Sequence, residues 1–254
     1  MNYTVITGAS SGIGYEASLA FAARGKNIIA VARREDKLNE LKSEIVSAYP
    51  DVDVITMTVD LSLSENVYQF YENLKQYNIQ TLINNAGFGN FDSVPEQNLT
   101  KIQSMLNLNI EALTLLSSLF VRDYEHVAGT QLINVSSGGG YTIVADAVTY
   151  CATKFYVSAF TEGLAQELAS KGSQMKAKVL APAATETEFA QRSFDVPDFN
   201  YDGTVPHYHT AKEMAQFMLE LYDSEKVVGI VNGETYEFNL VDPIYPYAKR
   251  ASQK

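Results

Sequence analysis

Cysteine occurs once in the 254 residues, at Cys151. A single thiol can neither close an intrachain disulfide nor build a cysteine-rich metal site. Histidine is nearly as scarce, with His126, His207 and His209 as the whole set. The pair His207-x-His209 invites a metal reading, but no carboxylate or cysteine pattern accompanies it, so no metal is expected. Basic residues are outnumbered, 19 Lys and Arg against 30 Asp and Glu, for a formal charge of −11. A surface of that sign repels a phosphate backbone, which argues against a general role on nucleic acid. A local basic spot for one cofactor phosphate remains compatible with it. No stretch approaches the ~18 consecutive apolar residues of a membrane span. The opening MNYTVITGAS also lacks the basic-then-apolar order of a secretory signal. The expectation is a cytoplasmic protein with no membrane partner.

What is present has a regular grain. Short β-branched runs at 3–7, 27–32, 54–59, 81–84, 132–135, 176–180 and near 227–231 alternate with stretches of helical period. Those stretches lie at 12–24, 35–48, about 99–126, 150–171 and near 211–222, and Ser62-x-x-Glu65 is expected to open one more as a capping box. Apolar strands alternating with helices imply a parallel sheet covered on both faces. Right-handed crossovers leave a doubly wound α/β arrangement of seven strands as the expected topology. The segment 188–210, rich in Phe, Asp, Pro, Tyr and Gly, is the one long irregular stretch. It reads as a flap on a single domain spanning 1–254.

Directly after the first strand comes TGASSGIG, with Gly8, Gly12 and Gly14, and then a helix. Such a turn offers backbone N–H groups and a helix N-terminus to an anion, and glycine allows a pyrophosphate to approach closely. The GxGxxG spacing is not met, and glycines at a strand–helix turn can also serve geometry alone.

Further along stand Asp60 after the third strand, NNAG at 84–87, Asn109 in a helix, Ser137, and Tyr150-x-x-x-Lys154. In this order, with Thr7, Gly8, Gly12 and Gly14, the residues resemble the short-chain dehydrogenase/reductase family in its single-domain branch. The resemblance covers residues 2 to about 187. It implies a Rossmann fold and an oxidoreductase that interconverts a carbonyl and an alcohol with a nicotinamide dinucleotide. It implies cofactor contacts from Gly8, Ser10, Ser11, Gly12, Ile13 and Gly14 in the turn. Asp60 and Leu61 would serve adenine, and Asn85, Ala86 and Gly87 would flank its ribose. Pro182, Thr185 and Thr187 would complete the cofactor side, although Pro182-Ala183 replaces the usual Pro-Gly. The backbone path there is therefore expected to differ.

The proposed chemistry also follows from the residue types. Reducing a carbonyl requires a proton for the developing alkoxide. Tyrosine, with an ordinary pKa of about 10, becomes a better acid–base group when a cation favours its phenolate. Lys154, four residues after Tyr150, shares its helix face. Ser137 can hydrogen-bond the carbonyl oxygen. By resemblance, Lys154 also holds the nicotinamide ribose and Asn109 anchors a proton-relaying water. The bland alternatives are a packed aromatic, a solvated charge, a turn serine and a buried amide.

The second strand ends at Ala32 and is followed by Arg33 and Arg34, not by the acid that would bind an NAD ribose. NADP(H) is thus expected over NAD(H), with Arg33 meeting the 2′-phosphate and Glu35 and Asp36 opening the next helix. A solvated arginine pair is the alternative. Phe189, Phe194, Phe199, Tyr201 and Tyr208 either line an apolar substrate pocket or fold the flap down. Apolar residues such as Leu113, Leu116 and Leu119 beside Phe155, Ala159 and Phe160 suggest a homodimer or homotetramer. A non-catalytic NADP(H)-binding regulator is the competing function, although it would not need both Tyr150 and Lys154.

Overall fold

The computed structural model describes residues 1–248. Its first half runs β1 (Asn2–Thr7), α1 (Gly12–Ala23), β2 (Asn27–Ala32), α2 (Glu35–Ala48), β3 (Val54–Thr58), α3 (Ser64–Leu74) and β4 (Asn78–Asn84). Next, α4 (Leu99–Leu106) and α5 (Leu113–Tyr124) form one continuous helix through a π-helical turn at Asn107–Ala112. β5 (Gln131–Val135), α6 (Val148–Ser170) and β6 (Lys176–Ala181) follow. The chain then makes β7 (Thr185–Glu186), α7 (Phe189–Phe194), α8 (Tyr201–Thr204), β8 (His209–Thr210), α9 (Ala211–Asp223), β9 (Val228–Val231) and β10 (Phe238–Val241).

The main sheet has the order β10-β9-β6-β5-β4-β1-β2-β3. This is a Rossmann-like doubly wound α/β fold. It has eight strands where seven were expected, and the eighth is antiparallel to β9. The extra strand arises because Asn232 accepts the backbone N–H groups of Glu234 and Thr235 at 2.8 and 3.0 Å, and Tyr236 takes a left-handed φ of 59°. The chain is thereby turned back along β9. β1 lies between β2 and β4, so the strand order reverses beside it. In sheets of this kind ligands bind at such a switch point, beyond the carboxyl ends of the strands.

Residues 3–7 and 28–32 are buried throughout, as expected of strands covered on both faces. One layer packs Phe21, Leu38, Ile45 and Met218 from α1, α2 and α9 against the sheet. The opposite layer packs Phe70, Leu74, Leu116, Phe120 and Leu168 from α3, α5 and α6. Each such side chain contributes roughly 1.5–3 kcal/mol of burial, so the strand ends that carry the site are firmly held. Leu113 and Leu116 are only 5% and 1% exposed, so they belong to this core and not to an outer face.

Two further expectations need correction. Ser62 does not cap α3: its hydroxyl and backbone N–H both donate to Asp60 Oδ1, and the helix begins at Ser64 without a side-chain cap. The capping box that does form joins Thr210 and Glu213 at the start of α9. Leu99–Tyr124 is by length and composition long and apolar enough to cross a membrane, because averaging tolerates its scattered polar residues. Two of those, Asn109 and Ser117, are buried against this protein's own core.

Candidate active site

The glycine turn is shaped by contact on several sides. Gly8 and Gly12 adopt φ of 70° and 55°, where L side chains are strained. A Cβ on Gly8 would lie 2.8 Å from Asn85 Nδ2 and 2.9 Å from Ala86 Cα. Gly14 lies behind the turn and not on the cleft wall, since its Cβ would meet Gly8 O at 2.4 Å. Ser11, the N-cap of α1, makes no side-chain cap bond, and no acid occupies the first turn. With Ser10, Ser11, Gly12 and Ile13 on the cleft wall, this helix end presents unpaired N–H groups to an anion.

Thr7 ties the turn to the next strand end. Its Oγ1 accepts the backbone N–H groups of Asn85 and Ala86 at 3.0 Å each. Asn85 Nδ2 donates to Thr7 O at 2.9 Å. Asn84, by contrast, pins strands together, donating to Asn134 Oδ1 at 3.0 Å and Ser117 Oγ at 3.1 Å. Asn85, Ala86 and Gly87 therefore reach the same cleft as Asp60 and Leu61.

The two arginines differ in their surroundings. Arg33 is the more exposed and stands 3.9 Å from Asp60 Oδ2. Burial raises the Asp60 carboxyl, but hydrogen bonds from Ser62 and the charge of Arg33 hold it below the ordinary range. Arg34 reaches back to Ser10, with Nη2 at 3.3 Å from both its Oγ and its carbonyl, and pairs with Glu188 Oε2 at 2.9 Å. Glu35 and Asp36 occupy the first turn of α2, where acids complement the helix dipole. The Arg34–Glu188 pair spans 154 positions, and no local sequence signal announces it.

At the other end of the cleft, Ser137 follows β5 and its Oγ accepts the N–H of Gly139 at 3.0 Å. Gly139 keeps two functional groups close: a Cβ there would lie 3.4 Å from Ser137 Oγ and 3.6 Å from Tyr150 Cε1. Tyr150 and Lys154 project from α6 and are 7% and 6% exposed. Burial pushes the Tyr150 phenol above its ordinary value, opposed by a hydrogen bond from Ser137. Burial pulls Lys154 down to about 8. Its Nζ donates to Val135 O at 2.9 Å and stands 5.9 Å from the Tyr150 ring centre. The expected lowering of the phenol by this cation is not seen: burial is the largest influence on it and acts upward.

Asn109 sits in the π-helical turn, off the cleft wall and 1% exposed. Its Nδ2 donates to Phe88 O at 2.9 Å and Thr153 Oγ1 at 3.1 Å, and its Oδ1 accepts the Phe88 N–H at 3.2 Å. It thus fixes the loop after β4. Pro182 O accepts the Gly138 N–H at 2.7 Å, and the Thr187 methyl abuts Gly12. Thr185 joins both on the cleft wall. Ala183 is not among the residues with positive φ, so replacing glycine there introduces no left-handed strain.

The segment 188–210 is more ordered than expected, because α7 is seated on the loop after β4 and on α4, while Tyr201 of α8 donates to Thr187 O at 3.2 Å. Phe91 N–H donates to Ser193 O at 3.0 Å, and Lys101 Nζ reaches Asp195 Oδ2 at 2.7 Å. Phe91 and Phe189 pack on Tyr150 with ring centres 5.8 and 5.4 Å away. Phe194, Phe199 and Tyr201 continue this wall, while Tyr208 packs on Tyr201 outside it. The aromatics thus line the cleft and fold the segment down. Phe88, Phe91 and Glu188 are site residues that sequence reasoning missed. His209 packs against Phe217 and Tyr236.

Ser10 to Ile13, Arg33, Arg34, Asp60, Ser137, Tyr150, Lys154 and Phe189 thus line one cleft of about 1270 Å³. The short chain dehydrogenase profile matches residues 2–197. The chain belongs to the short-chain dehydrogenase/reductase family. It is 31% identical over 198 residues to dehydrogenase/reductase SDR family member 11 of Homo sapiens, covering 75% of this chain and 76% of that one. A short-chain dehydrogenase from Sphingobium yanoikuyae in complex with NADPH superposes with a TM-score of 0.83 at 28% identity, covering 91% and 87% of the two chains. The bulky-bulky ketone specific alcohol dehydrogenase from Comamonas testosteroni gives 0.78 at 27% identity, covering 91% and 86%. The protein is an oxidoreductase of this family with a nucleotide-binding Rossmann fold.

Proposed function

We propose that this short-chain dehydrogenase/reductase reduces carbonyl compounds to alcohols with NADPH, using Tyr150 as proton donor. The observation that carries the reading is the convergence of Ser137, Tyr150 and Lys154 with the glycine turn in one cleft. The residues present fit a dinucleotide. The uncapped start of α1 suits a pyrophosphate, and Gly8 has no room for a side chain beside Asn85. Ser10, Arg33 and Arg34 would hold a 2′-phosphate, where Ala32 leaves space that an acid would close.

The bound cofactor would supply the hydride. Ser137 Oγ would donate to the carbonyl oxygen, and the Tyr150 phenol, kept protonated by its burial, would deliver the proton as negative charge develops there. Lys154, held by Val135 O, would orient the nicotinamide ribose. Asn109 would position the loop that carries Phe88. The flap would exclude water from the reaction, since α7 already rests against Tyr150 through Phe189.

The substrate side favours a bulky, uncharged, apolar carbonyl compound. Its wall is aromatic, and its cations Lys101 and Arg192 are already paired with Asp195 and Glu188. The Comamonas protein's bulky-ketone specificity supports the same reading. We also propose that the chain works as one domain over 1–254 and as a homo-oligomer. Leu106, Val148 and Tyr156 stay exposed on the helices Leu99–Tyr124 and Val148–Ser170, giving a two-fold contact its apolar surface. Sedimentation showing only monomer at high concentration would remove that element.

The test of function is a panel of aryl ketones, hydroxyketones and 2-oxo acids followed by NADPH absorbance. Consumption with the apolar ketones, matched by alcohol formation, is expected. Tight NADPH binding with no turnover of any compound would favour a regulator instead.

A further inference from the structure

Glu162 is fully buried on α6, twelve residues beyond Tyr150. That places it roughly 18 Å along the helix from the phenol's origin, too far to touch the reacting atoms. Burying a carboxylate is costly unless it is well hydrogen-bonded, and its partners identify its task. Oε1 accepts the Tyr141 hydroxyl at 2.6 Å. Oε2 accepts the backbone N–H groups of Ile244 and Tyr245 at 2.5 and 2.8 Å. Among the described residues no lysine or arginine forms an ion pair with it. Its acceptor capacity is spent on joining the chain's C-terminal segment to the loop after β5.

The tail then reaches the same loop a second time. Tyr245 hydroxyl donates to Gly140 O at 2.6 Å, and its ring stacks on that of Tyr141 at 5.5 Å. Gly140 belongs to the short helical turn that begins at Ser137, through Gly140 N–H to Ser137 O at 2.8 Å. The turn lies close against α6 and the end of β5, since a Cβ on Gly140 would lie 2.7 Å from Lys154 O and 2.4 Å from Ser136 Oγ. On its other side it is held by Tyr245 and Tyr141, and both are fastened by Glu162.

We propose that Glu162 and Tyr245 are positioning residues for Ser137, so that the tail after β10 completes the proton-delivery geometry. This rests on the reductase reading above. An error of about 1 Å in a reacting group can cost on the order of a hundredfold in rate, so a loop clamped from both sides is a sensitive point of control. The conformation of the tail would then set turnover without any contact with substrate or cofactor.

The test uses the full chain with saturating NADPH and the best ketone of the panel. Tyr245→Phe keeps the ring stack and removes one hydroxyl. It is expected to lower kcat about tenfold, with the Kd for NADPH and the melting temperature unchanged. Amide hydrogen exchange across residues 139–142 should quicken. Glu162→Gln, which has one acceptor oxygen for the Tyr141 hydroxyl and the two backbone N–H groups, should lower kcat further, and Glu162→Asp should recover part of it. A purely structural role would lower the melting temperature and leave kcat per folded molecule intact, which would overturn the proposal. Unchanged kcat and exchange in Tyr245→Phe would overturn it equally, even if Glu162→Gln failed to fold. If the parent reduced no carbonyl, the reductase reading would fall. The exchange rates at 139–142 would then decide the clamp separately, and unchanged protection in Tyr245→Phe would refute it.

Discussion

Lys154 Nζ donates to the carbonyl oxygen of Val135 at 2.9 Å while standing 5.9 Å from the centre of the Tyr150 ring. The lysine is therefore anchored by β5, with its position independent of the phenol. Burial affects the two groups in opposite directions, raising the phenol and pulling the ammonium down to about 8, because each neutral form is favoured in a dry site.

A pH dependence follows from that pair. As pH rises through about 8, Lys154 loses its proton, whereas Tyr150 remains a phenol. Ketone reduction is expected to fall along a single alkaline limb centred near that value. In Lys154→Met the residual rate should lose this limb. A parent profile that stayed flat to pH 10 would show that the lysine's charge is not used.

In the proposed reading, cofactor choice depends on the arginine pair. Arg34→Ala should raise the NADPH Kd at least tenfold, about 1.4 kcal/mol, and Arg33→Ala should have a similar effect. NADH binding should change little in either variant. Ala32→Asp should reverse the preference by repelling the 2′-phosphate. Glu188 now occupies Arg34 and Arg192, so Glu188→Gln should tighten NADPH binding. Titration calorimetry of all four variants checks these directions, and equal affinity of the parent for both cofactors would contradict the assignment.

Gly89 sets the seat of the flap. A Cβ there would lie 2.6 Å from Ser193 Oγ and 2.8 Å from the Phe189 ring, so Gly89→Ala must displace α7. The KM for an aryl ketone should rise about tenfold, corresponding to ~1.4 kcal/mol, with the NADPH Kd preserved. If kinetics were unchanged, α7 would not belong to the substrate wall.

Which residues gather around the glycine turn was largely legible in the sequence because its signals are local. A turn such as TGASSGIG folds on its own strand and helix, and the spacing from Tyr150 to Lys154 is one helical turn. Gly14 and Asn109 were the exceptions, since the same residue type can line a wall or brace it from behind. The aromatic half was legible only in part: Phe189, Phe194, Phe199 and Tyr201 could be named as candidates, but not their partners. Phe91 meets Phe189 and Phe194 only after the loop beyond β4 and the segment beyond β6 have been brought together. The antiparallel β10 was hidden for another reason: Tyr236 takes a left-handed φ that a bulky residue rarely signals. The Glu162 clamp likewise joins residues 82 and 83 positions apart, beyond any periodicity.

In the proposed mechanism the Tyr150 hydroxyl supplies the proton. Its most direct test is single-turnover ketone reduction by preformed NADPH complexes of the parent and Tyr150→Phe. The hydride-transfer step is expected to be at least ~100-fold slower in the variant, the scale of losing a general acid, with an unchanged NADPH Kd. A variant that oxidised bound NADPH within a fewfold of the parent rate would contradict it.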